Sequence, residues 1–170
     1  MNLIGKSPIR LCTYRCSGFT LVELTFCILL IGIIATVATP KYFASLDRYR
    51  VEMAVKRLAN DIRLAQRSAR QTNSTQTIRF TRADSTYSID AIKSIERSSA
   101  SYTVQLTDSP YQVRMVGLIE STKPTESPAS ITVAFNRFGT PDRGATIMLQ
   151  SGSRSQQVQV DASSGKVTIQ

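Results

Sequence analysis

Residues 16–42 read CSGFTLVELTFCILLIGIIATVATPKY, and from Phe19 to Thr39 this stretch carries a single charged side chain, Glu23. At about 1.5 Å of rise per residue, a helix over those positions spans about 30 Å, the thickness of a bilayer's hydrocarbon core. An acidic side chain at the bilayer centre costs about 2.5–3.5 kcal/mol. A carboxylate near the start of such a segment therefore calls for a partner. The segment sets the plan of the chain: a membrane-length helix first, and everything soluble after it.

Toward the N-terminus, residues 1–18 hold Lys6, Arg10 and Arg15 and no acid, as in a short basic region that stays on the cytoplasmic side. An ordinary secretory signal would follow with about 7–15 apolar residues and a small-x-small cleavage site. Thr36-Val37-Ala38 would serve as that site, but the apolar run is long for a signal core and is charged near its start. The sharper boundary lies between Ser17-Gly18 and Phe19.

The remaining roughly 130 residues suffice for one modest soluble domain. The net charge of the 170-residue chain is +9, an excess that permits a polyanionic partner without requiring one. All three cysteines, Cys12, Cys16 and Cys27, lie in or before the apolar segment, and there is no histidine. The soluble part thus has no internal disulfide or thiolate metal site, and the chain lacks the commonest general base and metal ligand.

Beyond Pro40, residues Val51, Val55, Leu58, Ile62, Ala65 and Ala69 step by four and three and fall within about 40° of one line on a helix. They form an apolar stripe. Asn73 and Ser74 suit the helix end, so a helix is expected from about Phe19 to Gln71, kinked at Pro40, which lacks an amide hydrogen. From Thr75 onward short alternating runs replace the helical period: TQTIRFTR, TYSIDAI, SYTVQLT, YQVRMVGL, SITVAFN, ATIMLQ, QQVQVDA and KVTIQ. Each is rich in β-branched or aromatic residues, and Ser, Asp, Gly and Pro clusters divide them. The fold class is α+β: a long N-terminal helix packed on about seven or eight antiparallel strands, one face on the helix stripe and one in water. The loop from Ser121 to Pro128 is expected to be the most mobile. Phe138-Gly139 before Pro141 reads as a hairpin turn.

Gly18 followed by FTLVEL (Phe19 to Leu24), an apolar helix, and Pro40-Lys41-Tyr42 resemble the type IV prepilin-type proteins. The sequences RLAQRSARQTNSTQTIRF, ITVAFNRFGTP and GKVTIQ further resemble the H-type minor pseudopilins of type II secretion, grouped with the FimT-like minor pilins. The resemblance implies a leader of residues 1–18 cut after Gly18 by a prepilin peptidase, and N-methylation of Phe19. It also implies residues 19–39 as transmembrane and filament-core helix, 40–73 as amphipathic helix and 74–170 as a periplasmic β domain. Glu23 would pair with the terminal amine of a neighbouring subunit, and Pro40 marks the family's helix. The implied partners are other pilins or pseudopilins, the peptidase and an inner-membrane assembly platform. The location is the inner membrane, single-pass, with the C-terminal domain in the periplasm and the filament, at or near its tip.

Lys56, Arg63, Arg67 and Arg70 lie within about 60° of one another and roughly opposite the apolar stripe. The ordinary reading is the wet face of an amphipathic helix. The alternative is a row that tracks phosphates, as in a minor pilin that captures DNA. Arg79, Arg82, Arg137, Arg143, Arg154 and Lys166 scatter further charge over the β region. No Gly-rich phosphate loop, nucleophile elbow or cofactor motif occurs. Asp84 with Asp90, or Asp142 with Asp161, could meet in space, which sequence alone does not show, so a structural subunit is expected, without metal or cofactor.

Overall fold

The computed structural model describes residues 18–93, 101–121 and 127–170. The residues before Gly18, and 122–126 of the loop expected to be mobile, lie outside the described residues. The chain divides into two compact units, one ending at Thr39 and one covering Pro40–Gln170. Helix α1, Leu21–Thr72, contributes to both and contains Pro40 rather than ending at it.

Both ends of α1 are capped by local side-chain and backbone chemistry. Thr20 is the N-cap: its Oγ1 accepts from the Glu23 backbone N–H at 3.2 Å, satisfying one donor that a first turn leaves free. At the other end Asn73 adopts a left-handed φ of 51° and Ser74 N–H donates back to Ala69 O at 3.3 Å, a Schellman-type stop.

The second unit has one hydrophobic core. All six residues of the expected apolar stripe are buried, and Ala54 and Ala59 widen it. Against this face lie eight strands: β1 Gln76–Thr81, β2 Thr86–Lys93, β3 Ser101–Gln105, β4 Arg114–Glu120, β5 Ser130–Phe135, β6 Ala145–Ser151, β7 Arg154–Val160 and β8 Val167–Ile169. Every alternating run of the sequence forms a strand.

The strands divide into two four-stranded antiparallel sheets, ordered β3-β2-β1-β5 and β4-β6-β7-β8. After the β1–β2–β3 meander the chain crosses to the second sheet for β4, returns to lay β5 beside β1, and completes the second sheet with β6–β7–β8. Alternation marks which residues point inward but not which strand is the neighbour, so a division into two sheets leaves the local pattern unchanged.

A bulge in the second sheet adjusts the alternation. Met115 faces Leu149 and Gly117 faces Met148, leaving Val116 as the extra residue. The inward phase shifts, so Met115 and Leu118 are both buried while Val116 is exposed. A Cβ on Gly117 would meet Met148 Sδ at 2.9 Å, so a larger residue there would displace the Met148 side chain.

Candidate functional site

The first site is the start of α1. Gly18 is exposed, and a Cβ added to it would have nothing within 4 Å. Neither packing nor a left-handed backbone requires glycine there. Any such requirement comes from a molecule outside the fold. Phe19 follows at 79% exposure, and the large apolar side chains from Leu21 to Ile34 are each more than half exposed. This part of α1 is long and apolar enough to cross a membrane. So much contiguous apolar surface demands lipid or protein around it.

Glu23 sits in the first turn of α1. With Thr20 it forms the pattern Thr-x-x-Glu, the sequence signature of a capping box. A carboxylate at a helix N-terminus is favoured by the helix dipole, so the position of Glu23 has a local rationale within α1 itself. Thr20 is thus a further residue of this site.

The basic row of α1 is placed differently from the sequence expectation. Lys56 and Arg67 are exposed; Lys56 Nζ donates to Glu52 Oε1 at 2.7 Å. Arg63 donates to Asn60 Oδ1 at 3.2 Å and to Val167 O of β8 at 3.3 Å. Arg70 Nε donates to Phe138 O at 2.9 Å. Two of the four guanidinium or ammonium groups therefore tie the helix to the β strands and loops. The row is centred about 130° from the apolar stripe rather than opposite it, and Arg63 and Arg70 are its members nearest the core.

Further polar ties join α1 to the turns and to strands of the first sheet. Ser151 Oγ donates to Asp47 Oδ1 at 3.0 Å beside Gly152, whose φ is 53°. Gln66 Nε2 donates to Gly165 O at 2.6 Å and to Gly139 O at 3.4 Å, in turns where both glycines have positive φ. Asp61, only 6% exposed, accepts from Tyr87 Oη at 2.5 Å, Tyr102 Oη at 2.9 Å and Arg57 Nε at 3.0 Å. Burial, then the adjoining Asp61 carboxylate, pushes the Tyr87 phenol far above its ordinary value. These partners lie far apart in sequence, and nothing in the local pattern announces them.

Two of the four carboxylates considered for catalysis serve turns. Asp142 accepts from Ala134 N–H at 2.9 Å and from Arg143 Nε at 3.0 Å. Asp161 Oδ1 accepts from the backbone and hydroxyl of Ser163 and Ser164, and these bonds, Ser164's first, hold its carboxyl well below the usual range. Asp84 and Asp90 are exposed and no hydrogen bond joins them. Among the described residues no three side chains gather as a metal site.

Residues 13–39 match the family described as the prokaryotic N-terminal methylation motif. The fold is similar to that of the type IV minor pilin FimU of Pseudomonas aeruginosa PAO1. One crystal form aligns at a TM-score of 0.50 and 12% identity, covering 72% of this chain and 90% of that one. A second crystal form aligns at 0.48 and 12%, covering 70% and 91%. No curated protein matches the sequence. The chain thus combines a methylation motif with a type IV pilin-like fold.

Proposed function

We propose that the chain is a minor pilin or pseudopilin, made as a precursor in the inner membrane, cut between Gly18 and Phe19, and assembled with other subunits at or near the tip of a filament. The observation that carries this reading is the contrast between its parts. A membrane-length apolar helix, carrying one charge and with its large apolar side chains from Leu21 to Ile34 exposed, precedes a unit of pilin fold with a complete core of its own. In lipid the exposed helix is an anchor. Among like subunits it is a packing surface.

In that packing, Glu23 pairs with the amine that cleavage creates on Phe19 of a neighbour. The pairing satisfies a carboxylate that is costly in an apolar surround and fixes axial register, since removing either partner leaves the other desolvated and uncompensated. The partners are other pilins or pseudopilins, the prepilin peptidase and an inner-membrane assembly platform, and the Pro40–Gln170 unit lies in the periplasm. The role is structural rather than catalytic.

The test is the intact mass of the protein recovered from membranes. A mature chain beginning at Phe19 with a methylated amine is expected. Gly18→Val should leave the full-length precursor, because a branched side chain obstructs cleavage while the fold, with open space at Gly18, is undisturbed. A mature terminus at Thr39 would mean an ordinary secretory signal and end the filament reading.

A further inference from the structure

The start of the second unit carries a further surface, separate from both sites above. Tyr42, Phe43 and Tyr49 follow soon after Pro40, and each is more than half exposed. Tyr42 and Phe43 meet edge to face with ring centroids 5.9 Å apart, and Tyr49 falls within about 20° of Tyr42 around the helix. One β tip is fixed to the same stretch. Ser151 Oγ donates to Asp47 Oδ1 at 3.0 Å, and a Cβ on Gly152 would run into the Asp47 carboxylate, so the β6–β7 turn lies against α1 about 10 Å along the helix from Pro40. The ties at Asp61, Arg63, Gln66 and Arg70 come further along. Arg154 flanks the tip at a hollow of about 150 Å³ shared with Arg48 and Val51, and Arg114 flanks it at a hollow of about 360 Å³ shared with Gln112 and Gln150. Arg114 and Arg154 are exposed, and among the described residues neither side chain has a hydrogen bond or an ion pair. Lys41, Arg48 and Arg50 add positive charge. The acids of this region are already engaged, Asp47 by Arg50 and Ser151 and Glu52 by Lys56 with Arg48 close by.

Exposed aromatic rings beside unpaired cations describe a surface for the headgroup layer of a bilayer. Lys41, Tyr42 and Phe43 directly follow the apolar run, at the level where an emerging helix meets headgroups, and tyrosine is favoured there because its ring is apolar and its hydroxyl reaches water. Guanidiniums without protein partners suit phosphate oxygens. The apolar run tethers this surface to lipid, which gives a headgroup the advantage of effective concentration over any anion free in solution. We infer that the start of the second unit docks on anionic lipid headgroups, with the rings of Tyr42, Phe43 and Tyr49 at the interface and Arg114 and Arg154 of the β6–β7 tip on lipid phosphates. The inference rests on reading the apolar run as a membrane anchor. It is independent of the Glu23 pairing.

The chain has no tryptophan, so a single introduced indole reports its own surroundings. The full chain carrying Ser153→Trp, at the exposed tip, is reconstituted in phosphatidylcholine vesicles with and without phosphatidylglycerol, and its fluorescence is quenched by headgroup-labelled lipid. A second protein carrying Leu30→Trp, with acyl-chain-labelled lipid, reads the anchor in the same vesicles. Expected is strong quenching of the Ser153→Trp indole with phosphatidylglycerol present, falling in its absence and at high salt. Each cation near an anionic surface contributes about fivefold, so adding Arg114→Gln/Arg154→Gln should lower the ratio of docked to undocked tips about 30-fold. The melting temperature should not change, because these side chains make no ties within the fold. An unquenched Ser153→Trp indole, or one quenched equally with and without phosphatidylglycerol or equally in the Arg114→Gln/Arg154→Gln background, would overturn the docking, and quenching of Leu30→Trp would leave the anchor standing. Absence of Leu30→Trp quenching would overturn both.

Discussion

Gln66 and Gly165 fix the last long stretch of α1 to the turn before β8: Gln66 Nε2 donates to Gly165 O at 2.6 Å, and a Cβ at Gly165 would approach the same nitrogen to 2.7 Å. The glycine has a φ of 66°, a conformation costing about 1–2 kcal/mol for a residue with a side chain. Gly165→Ala should therefore destabilise the second unit by at least that amount, read as a shift in denaturant midpoint. Gly32→Ala, with nothing within 4 Å of the added methyl, should leave it unchanged. Equal stability of the two variants would refute the fastening role of the turn.

Thr20 and Glu23 separate capping from assembly. Thr20→Ala removes the N-cap acceptor and should cost about 1 kcal/mol of local helix stability, with cleavage and filament incorporation retained. Glu23→Ala should leave membrane insertion and leader cleavage intact while incorporation falls, because the carboxylate that meets the neighbour's amine is gone. Glu23→Gln keeps the size without the charge and should fail in the same way. Incorporation lost equally in Thr20→Ala would assign Glu23 to capping alone.

The basic row should divide into two classes. Arg63→Gln/Arg70→Gln breaks bonds to the carbonyls of Val167 and Phe138 and is expected to lower stability by about 1–3 kcal/mol in total. Lys56→Gln/Arg67→Gln removes exposed charge and should change stability by less than about 0.5 kcal/mol. A DNA-binding role for the row is tested cleanly only with the second pair. Two phosphate contacts imply a salt slope near −1.8, where four would give about −3.6. A salt titration with double-stranded DNA reads the slope, and binding that is unchanged in Lys56→Gln/Arg67→Gln would remove the row from nucleic-acid recognition.

Tyr87 sets an alkaline limit. Its phenol is raised far above its ordinary value of about 10 by burial and by Asp61. The unfolded chain releases the proton first, so the stabilisation is complete below about pH 10 and is lost as pH rises above it. Tyr87→Phe should lower stability at neutral pH by about 1.5–3 kcal/mol, through the lost bond to a charged acceptor, and should flatten the decline above about pH 10. Parallel declines in parent and variant would assign the alkaline loss to other groups.

Much of this architecture is set locally and was legible. The apolar run with Glu23, the stripe from Val51 to Ala69, the stop at Asn73 and all eight strands follow from hydrophobic period, β-branched content and turn residues, which act over a few neighbours. Thr20 was legible too, as the first residue of Thr-x-x-Glu.

Other features depend on residues distant in sequence, and those only the tertiary structure decided. The division into two sheets, the placing of β5 beside β1, the contacts of Arg63 and Arg70 with carbonyls, and the gathering of Tyr87 and Tyr102 around Asp61 have no local signal. A strand's alternation is the same whichever neighbour it takes, and a long guanidinium at the margin of a helix face reaches solvent or a carbonyl according to what packs beside it. By itself, then, the sequence determined the order, length and inward faces of the elements, because these are properties of the covalent neighbourhood. The tertiary structure decided which polar groups meet, because burial obliges each of them to find a partner wherever the packing brings one.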